Sequence, residues 1–227
     1  MSAKRVRANA TKVAASKVTA SKVTATKVAA SKVTEPRRTA HATERALVIA
    51  ATSLFARNGY NGTSVSEVAG QLGLTTASLY YYVTGKQDLL MRVLSTGMSD
   101  FLQRLEALAR QPISNREKVR IAVENHLDFV LGNQEAVTVF LRERRFLESP
   151  YRERYQTQVD RYDELFTEFI VAGVRDGELP PVDPHVTRLA ILGMINWLVE
   201  WYEPGGRLTP FEIKLTMSNL IMQRLLG

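Results

Sequence analysis

Cysteine is absent from the 227-residue chain, so neither a disulfide framework nor a thiolate metal site is available to it. That absence fits a reducing cytoplasm. Long hydrophobic runs are absent too, and stretches such as Ala46 to Ala51 fall far short of a membrane span. Histidine is scarce: His41, His126 and His185 are scattered, with no metal-ligand spacing. No glycine-rich phosphate loop and no nucleophile motif occurs, so neither an enzyme nor a bound cofactor is expected. Acidic residues are nearly missing from the first 40 positions, where Glu35 stands alone against ten basic residues. No apolar segment follows this basic stretch, so no secretory signal is expected. Transit peptides favour arginine and amphipathic helices, and the stretch has neither character.

What is present divides sharply by charge. Ten basic residues against one acid give +9 over residues 1–40, and twenty against twenty-two give −2 over residues 41–227. A near-neutral body therefore carries a cationic arm. Residues 11–35 repeat with a period of five (TKVAA, SKVTA, SKVTA, TKVAA, SKVTE), which places Lys12, Lys17, Lys22, Lys27 and Lys32 at equal intervals. Successive lysines turn by about 140° on a helix and alternate faces on a strand, so neither geometry makes a core-facing stripe. Without leucine or an aromatic residue the segment cannot bury enough to offset its ordering entropy, and it is expected to be disordered. Two readings stand: a leader with no role, or a polyelectrolyte arm neutralising DNA phosphates without reading sequence. The regular repeat favours the arm, and the segment is similar to the Lys-Ala-rich tails of linker histones and some bacterial nucleoid proteins.

From Thr43 the pattern becomes helical. Leu47, Ala50, Ala51, Leu54 and Phe55 recur at spacings of three and four, and Gly59 follows as a stop. Thr63 or Ser64 caps a second helix with Val65, Val68, Ala69 and Leu72 on its apolar side, and Gly73 supplies a tight turn. A third short helix is expected from about Thr75 to Tyr81. Two short helices joined through a glycine turn suit a helix-turn-helix, whose second helix enters the major groove.

The stretch TERALVIAATSLFARNGYNGTSVSEVAGQLGLTTASLYYYVTGKQDLL resembles the DNA-binding domain of the tetracycline-repressor (TetR) family along its whole length. The shared features are Ala50-Ala51, Leu54-Phe55, Gly59-Tyr60, Thr63-Ser64-Val65, Val68-Ala69, Gly73-Leu74, Leu79-Tyr80 and Lys86. The resemblance implies DNA contacts position by position. Thr63 or Ser64 would bond phosphate at a helix start. Thr75, Thr76, Ala77 and Ser78 would open the recognition helix toward base edges. Tyr80 or Tyr81 would reach phosphate or a thymine methyl, and Lys86 would hold a phosphate at the next helix start. Tyr80 could equally pack under the recognition helix, whereas Leu74, Leu79 and Val83 read as core. Tyr82 stands where the family often has histidine, and Val83 where phenylalanine is usual. Three basic and three acidic residues leave the window 41–88 with no net charge, so the arm could supply electrostatic affinity that the head lacks.

Beyond Lys86, six helices are expected at about 86–110, 115–132, 134–146, 150–176, 184–202 and 210–226. Ser114-Asn115-Arg116-Glu117 reads as a capping box. Ser149-Pro150, Asp183-Pro184 and Thr209-Pro210 each read as a cap before a proline at the first helical position. The expected fold is all-α, in three parts: a disordered tail over 1–40, a three-helix head over 41–88, and a six-helix ligand-binding and dimerisation domain over 89–227. Leu189, Leu192, Gly193, Ile195, Asn196 and Val199 leave little polar surface on one side of helix 184–202. With Ile213, Met217, Leu220, Ile221 and Leu225 on the last helix, they suit a homodimer face.

The resemblance implies a ligand pocket between these helices. The segments around Trp197 and Trp201 and around Arg142 and Arg145 look like family members that sense fatty-acyl or steroid-derived CoA thioesters. Arginines beside apolar helices suit an acyl chain with a phosphorylated head group. A solvated charged face and core aromatics explain the same residues without a ligand. His126 reads as packing or ligand contact. The expected function is a ligand-responsive repressor that binds a palindromic operator on double-stranded DNA as a dimer. Alternatives are an architectural, nucleoid-associated DNA-binding protein dominated by the tail, and a helical metabolite-binding protein without a DNA role.

Overall fold

The computed structural model describes residues 35–227, and all regular structure among them is helical. The pentad repeats, with Lys12, Lys17, Lys22, Lys27 and Lys32, lie outside the described residues. The first helix, α1 (Glu35–Asn58), begins well before the apolar periodicity does at Thr43. Pro36 sits in its first turn, where a missing N–H costs no helical bond. Leu47, Ala51 and Phe55 are buried on one face, as their spacing requires. Gly59, at φ 74°, ends the helix with its N–H on the Phe55 carbonyl at 3.0 Å.

Helix α2 (Val65–Gln71) opens on a reciprocal capping box: Ser64 Oγ accepts from the Glu67 N–H, and the Glu67 carboxylate accepts from the Ser64 N–H at 2.6 Å. The turn that follows needs a left-handed residue, supplied by Gly73 at φ 66°. The Leu74 N–H then reaches back to the Ala69 carbonyl at 2.9 Å. Thr75 caps the short α3 (Thr76–Tyr80) by accepting from the Ser78 N–H at 3.1 Å. Val68, Ala69, Leu79 and Val83 close the core of this head.

Helix α4 (Lys86–Ala109) belongs to head and body alike, so the expected boundary at residue 88 falls inside its first turn. Asp88 accepts from the Thr84 N–H at 3.0 Å and fastens that end. Farther along, α4 packs against α7 (Tyr151–Arg175), with α5 (Asn115–Gly132) and α6 (Gln134–Glu143) beside them. A 3₁₀ turn over Arg144–Phe146 completes the expected helix 134–146. Next come α8 (Pro184–Asn196), the single turn α9 (Leu198–Trp201) and α10 (Pro210–Leu220), which runs on as a π turn over Ile221–Leu225.

Three local expectations need correction. Ser114 caps α5, but Glu117 does not reciprocate, because its carboxylate is held by Arg120 at 2.5 and 2.8 Å. Pro150 precedes α7 instead of opening it, and Ser149 bonds the Glu153 side chain rather than capping the helix with Pro150 at its first position. Helix 184–202 is interrupted at Trp197, where the Glu200 N–H turns to the Trp197 carbonyl at 3.1 Å, a tighter i to i−3 pattern. Asp183-Pro184 and Thr209-Pro210 behave as expected, the latter within a full capping box.

Candidate DNA-reading head and effector cavity

The turn between α2 and α3 presents a small polar surface. Thr75, Ala77, Ser78, Tyr80 and Tyr81 are exposed, while Thr76 is half-buried and Leu79 faces inward. Tyr81 is 85% exposed and meets Tyr82 edge-on at 5.2 Å. Ser78 Oγ and Thr75 Oγ1 lie 2.8 Å apart, so this pair is already oriented by a mutual hydrogen bond. Ser64 is exposed at its helix start.

Thr63 is different, and its expected phosphate contact does not fit. It is 2% exposed, and its hydroxyl lies within hydrogen-bond reach of the Gly59 carbonyl at 2.9 Å and the Leu54 carbonyl at 3.2 Å. A single hydroxyl proton committed inward leaves nothing for DNA. Lys86 is half-buried, with Nζ 4.3 Å from the Tyr60 ring centroid. Desolvation pulls its ammonium below the usual lysine range, against the opposing charge of Glu67.

Tyr60 is a joint between head and body. Its ring lies against Phe55 at 5.7 Å and stacks on Phe146 at 5.5 Å. Its N–H donates to Glu143 Oε2 at 2.7 Å, and Glu143 is buried at the end of α6. From sequence, the segment around Arg142 and Arg145 reads either as a ligand contact or as a solvated charged face, and neither describes the buried Glu143. The missed signal is its place four residues after buried Val139 and four before buried Leu147, on the apolar stripe itself. Two further bonds tie the same pieces: Gln87 Nε2 to the Phe146 carbonyl at 2.9 Å, and Ser53 Oγ to Glu135 at 3.0 Å.

Inside the body, α4, α5, α6, α7 and α8 enclose a cavity of about 80 Å³. Its walls are mostly apolar, with Met98, Phe101, Phe129, Phe140 and Leu192 among them. Four polar residues, His126, Tyr162, Asp163 and Asn196, interrupt that wall. His126 lies fully inside, its Nδ1 2.7 Å from the Tyr162 hydroxyl and its Nε2 3.0 Å from Asn196 Oδ1. Burial drives the imidazole pKa down to about 4 against the weaker opposing bond from Asn196, so the ring is neutral at pH 7. Phe101 stacks on the ring at 4.7 Å. Beside it Asp163 pairs with Arg188, whose side chain is almost wholly buried and whose Nε has no partner among the described residues. Burial raises the Asp163 carboxyl, and the Arg188 charge opposes it.

None of Arg142, Arg145, Trp197 and Trp201 lines this cavity. Arg142 pairs with Glu200 of α9 at 2.9 Å, and Arg145 lies over the Phe146 ring at 4.8 Å. Trp197 shares an exposed stripe of α8 with Val186, Ala190 and Gly193, and Trp201 is also exposed. Arg144, not singled out from sequence, covers the cavity-wall residue Phe140 at 4.8 Å. Among the described residues no helix is long and apolar enough to cross a membrane, and no group of three or more acidic or histidine side chains could hold a metal ion.

A helix-turn-helix head hinged on a helical body with an apolar cavity defines the class of DNA-binding regulators that carry a ligand domain. The family of bacterial regulatory proteins, tetR family, matches residues 47–93, and the tetracyclin repressor-like C-terminal domain matches residues 112–225. The chain belongs to the TetR family of bacterial transcription regulators. A TetR/AcrR-family regulator from Thermobifida fusca YX-ER1 superposes with a TM-score of 0.62 at 32% identity, over 79% of this chain and 97% of that one. AibR, solved with isovaleryl coenzyme A and operator DNA, gives 0.71 at 28% identity, over 78% and 96%. The fatty acid metabolism regulator protein of Bacillus subtilis (strain 168) is 24% identical over 182 residues, 80% of this chain and 92% of that protein. These relatives are regulators, which points to a non-enzymatic role.

Proposed function

We propose that the protein is a dimeric repressor of a palindromic operator, released by an acyl-CoA-type effector. One observation carries the reading: two of the helices that wall the cavity, α4 and α6, also reach the head. Helix α4 starts at Lys86 beneath Tyr60, and α6 ends at Glu143 on the Tyr60 N–H. The cavity, about 80 Å³, is far smaller than the ~300–1,000 Å³ of ordinary ligand pockets. An acyl group larger than this space would spread these helices, and spreading them would move the joint at Tyr60. Effector and operator would then favour different packings of one body, which is the requirement for coupling.

The relatives named above support the ligand class, since one was solved with isovaleryl coenzyme A and another is named for fatty acid metabolism. They also favour regulation over an architectural DNA-compacting role. In this reading Thr75, Thr76, Ala77 and Ser78 face base edges, while Ser64, Tyr80, Tyr81 and Lys86 hold phosphate. The acyl chain lies in the cavity, and the phosphorylated head group stays outside near Arg142 and Arg144. Arg145, Trp197 and Trp201 lie outside the cavity lining.

The test is footprinting with and without acyl-CoA. Protection of a short palindrome that is lost on adding acyl-CoA, and kept with free CoA, is the expected result. Uniform protection of all DNA would leave the architectural role instead. Tighter operator binding with acyl-CoA would reverse the assigned direction.

A further inference from the structure

The cavity wall contains one polar device whose hydrogen-bonding capacity is not used up. Asn196 Oδ1 can only accept, so His126 Nε2 carries the proton that reaches it. A neutral imidazole then has a bare Nδ1, and the Tyr162 O–H must donate to it. The direction of the relay is thereby fixed: Tyr162 to His126 to Asn196. Both imidazole nitrogens are spent. The Asn196 amide is not, because its Nδ2 donates no hydrogen bond among the described residues, and Asn196 lines the cavity. An amide donor on a residue that lines a mostly apolar chamber has a use when something there accepts from it.

Resting on the proposed acyl-CoA reading, we propose that Asn196 is the specificity-determining residue of this cavity and recognises a carbonyl oxygen on the effector. His126 and Tyr162 act as positioning residues. The imidazole grips Asn196 Oδ1, so the amide cannot rotate and Nδ2 stays turned away from the relay. Phe101, stacked on the ring at 4.7 Å, holds the imidazole plane in turn. A purely structural network would be closed on itself; this one keeps a donor without a hydrogen-bond partner among the described residues, on a residue that lines the cavity. The residue's position adds a consequence. Asn196 is the last residue of α8, next to Trp197 on the exposed stripe, so an oxygen bound there pulls on the end of that helix.

Two carbonyls could be read: the thioester itself, or a ketone farther along the acyl part. The chemistry is shared, and three CoA derivatives separate the sources. Isovaleryl-CoA has the thioester carbonyl. S-isopentyl-CoA, the thioether of equal chain length, has none. An S-alkyl-CoA carrying a ketone farther along the chain has only the second kind. Calorimetric titration of the full-length protein is expected to show isovaleryl-CoA binding about tenfold more tightly than S-isopentyl-CoA, the value of one buried hydrogen bond. Recovery of that factor by the ketone-bearing thioether alone would assign the recognised carbonyl to the chain.

In Asn196→Asp, which keeps an acceptor for His126 and puts a charged carboxylate oxygen in place of the donor, the preference should fall to about one or invert. Asn196→Leu should abolish it likewise, and operator binding reports that each variant is folded. A role in packing alone would weaken all ligands together and leave their ratio unmoved. Equal binding of thioester, thioether and ketone by the wild type overturns the inference and spares the acyl-CoA reading. So does a tenfold preference that survives in both variants. No binding of any of the three removes the acyl-CoA reading, and this inference with it.

Discussion

Thr63 and Ser64 are neighbours with similar chemistry and opposite fates, which fixes what each substitution should do. Thr63→Val removes a buried hydroxyl that serves the Gly59 and Leu54 carbonyls, so thermal stability should drop by about 1 kcal/mol with operator preference unchanged. Altered sequence preference in that variant would return Thr63 to the DNA interface. Sequence alone located the cap but not which residue makes it, because either hydroxyl fits the spacing. Tyr80, open between core and DNA from sequence, is 53% exposed and so free for phosphate.

His126 gives a pH dependence of definite sign. Its pKa is about 4 in the fold, against 6.5 when unburied, so between those values the unfolded chain binds a proton that the native one refuses. Stability from this group is therefore full above about pH 6.5 and is lost as pH falls toward 4. Between pH 7 and pH 5 the wild type should lose about 2 kcal/mol more than His126→Gln does in urea titrations. Parallel losses would show that the imidazole titrates normally. The sequence marked His126 as packing or ligand contact. Its partners were beyond reach, since Tyr162 and Asn196 are 36 and 70 residues away along the chain.

At the scale of the elements, periodicity and caps made nearly every helix legible. The misses are local: polar side chains at stripe positions, such as Glu143, and the break in α8 at Trp197, which no proline or glycine announces. The candidate site was legible in its head and much less so in its body, because the cavity is built by five helices whose packing no local pattern encodes. Glu143 is the element-scale test of coupling. Glu143→Ala cuts the bond from α6 to the Tyr60 N–H, so acyl-CoA should shift operator affinity several-fold less, with ligand affinity itself little changed. An undiminished response would move the coupling to α4 and to the Ser53–Glu135 contact of α6. The outer faces of α8 and α10 make a second test. Ile195, Ile213 and Ile221, expected on the dimer face, are buried in the core, whereas Leu189, Val186, Phe211 and Leu215 are each at least half exposed, apolar surface of the kind that marks an interaction site. Leu189→Glu should yield monomers by sedimentation and weaken operator binding. A dimer that persists unchanged would place the interface elsewhere.

For the whole molecule, the open question is where a neutral head finds its affinity. The window 41–88 has no net charge, while residues 1–34 contain eight basic residues and no acid. Deleting residues 1–34 leaves the described part of the first helix, Glu35–Asn58, intact. We propose that it supplies sequence-independent affinity while the helix-turn-helix chooses the operator. Each phosphate neutralised contributes about 0.9 to the slope of log K against log salt, so an arm engaging half its charges adds about four units. Deleting residues 1–34 should then cost orders of magnitude in affinity at low salt and much less at high salt. The ratio of operator to random-DNA affinity should hold or rise, since both complexes lose a similar contribution. Scrambling the pentads at constant composition should change little, because an arm of this kind works through charge and reach. Salt titrations of full-length and truncated protein on operator DNA decide the matter. Parallel slopes would mean that the lysines at 12, 17, 22, 27 and 32 never meet the duplex, and the leader without a role would be the correct reading.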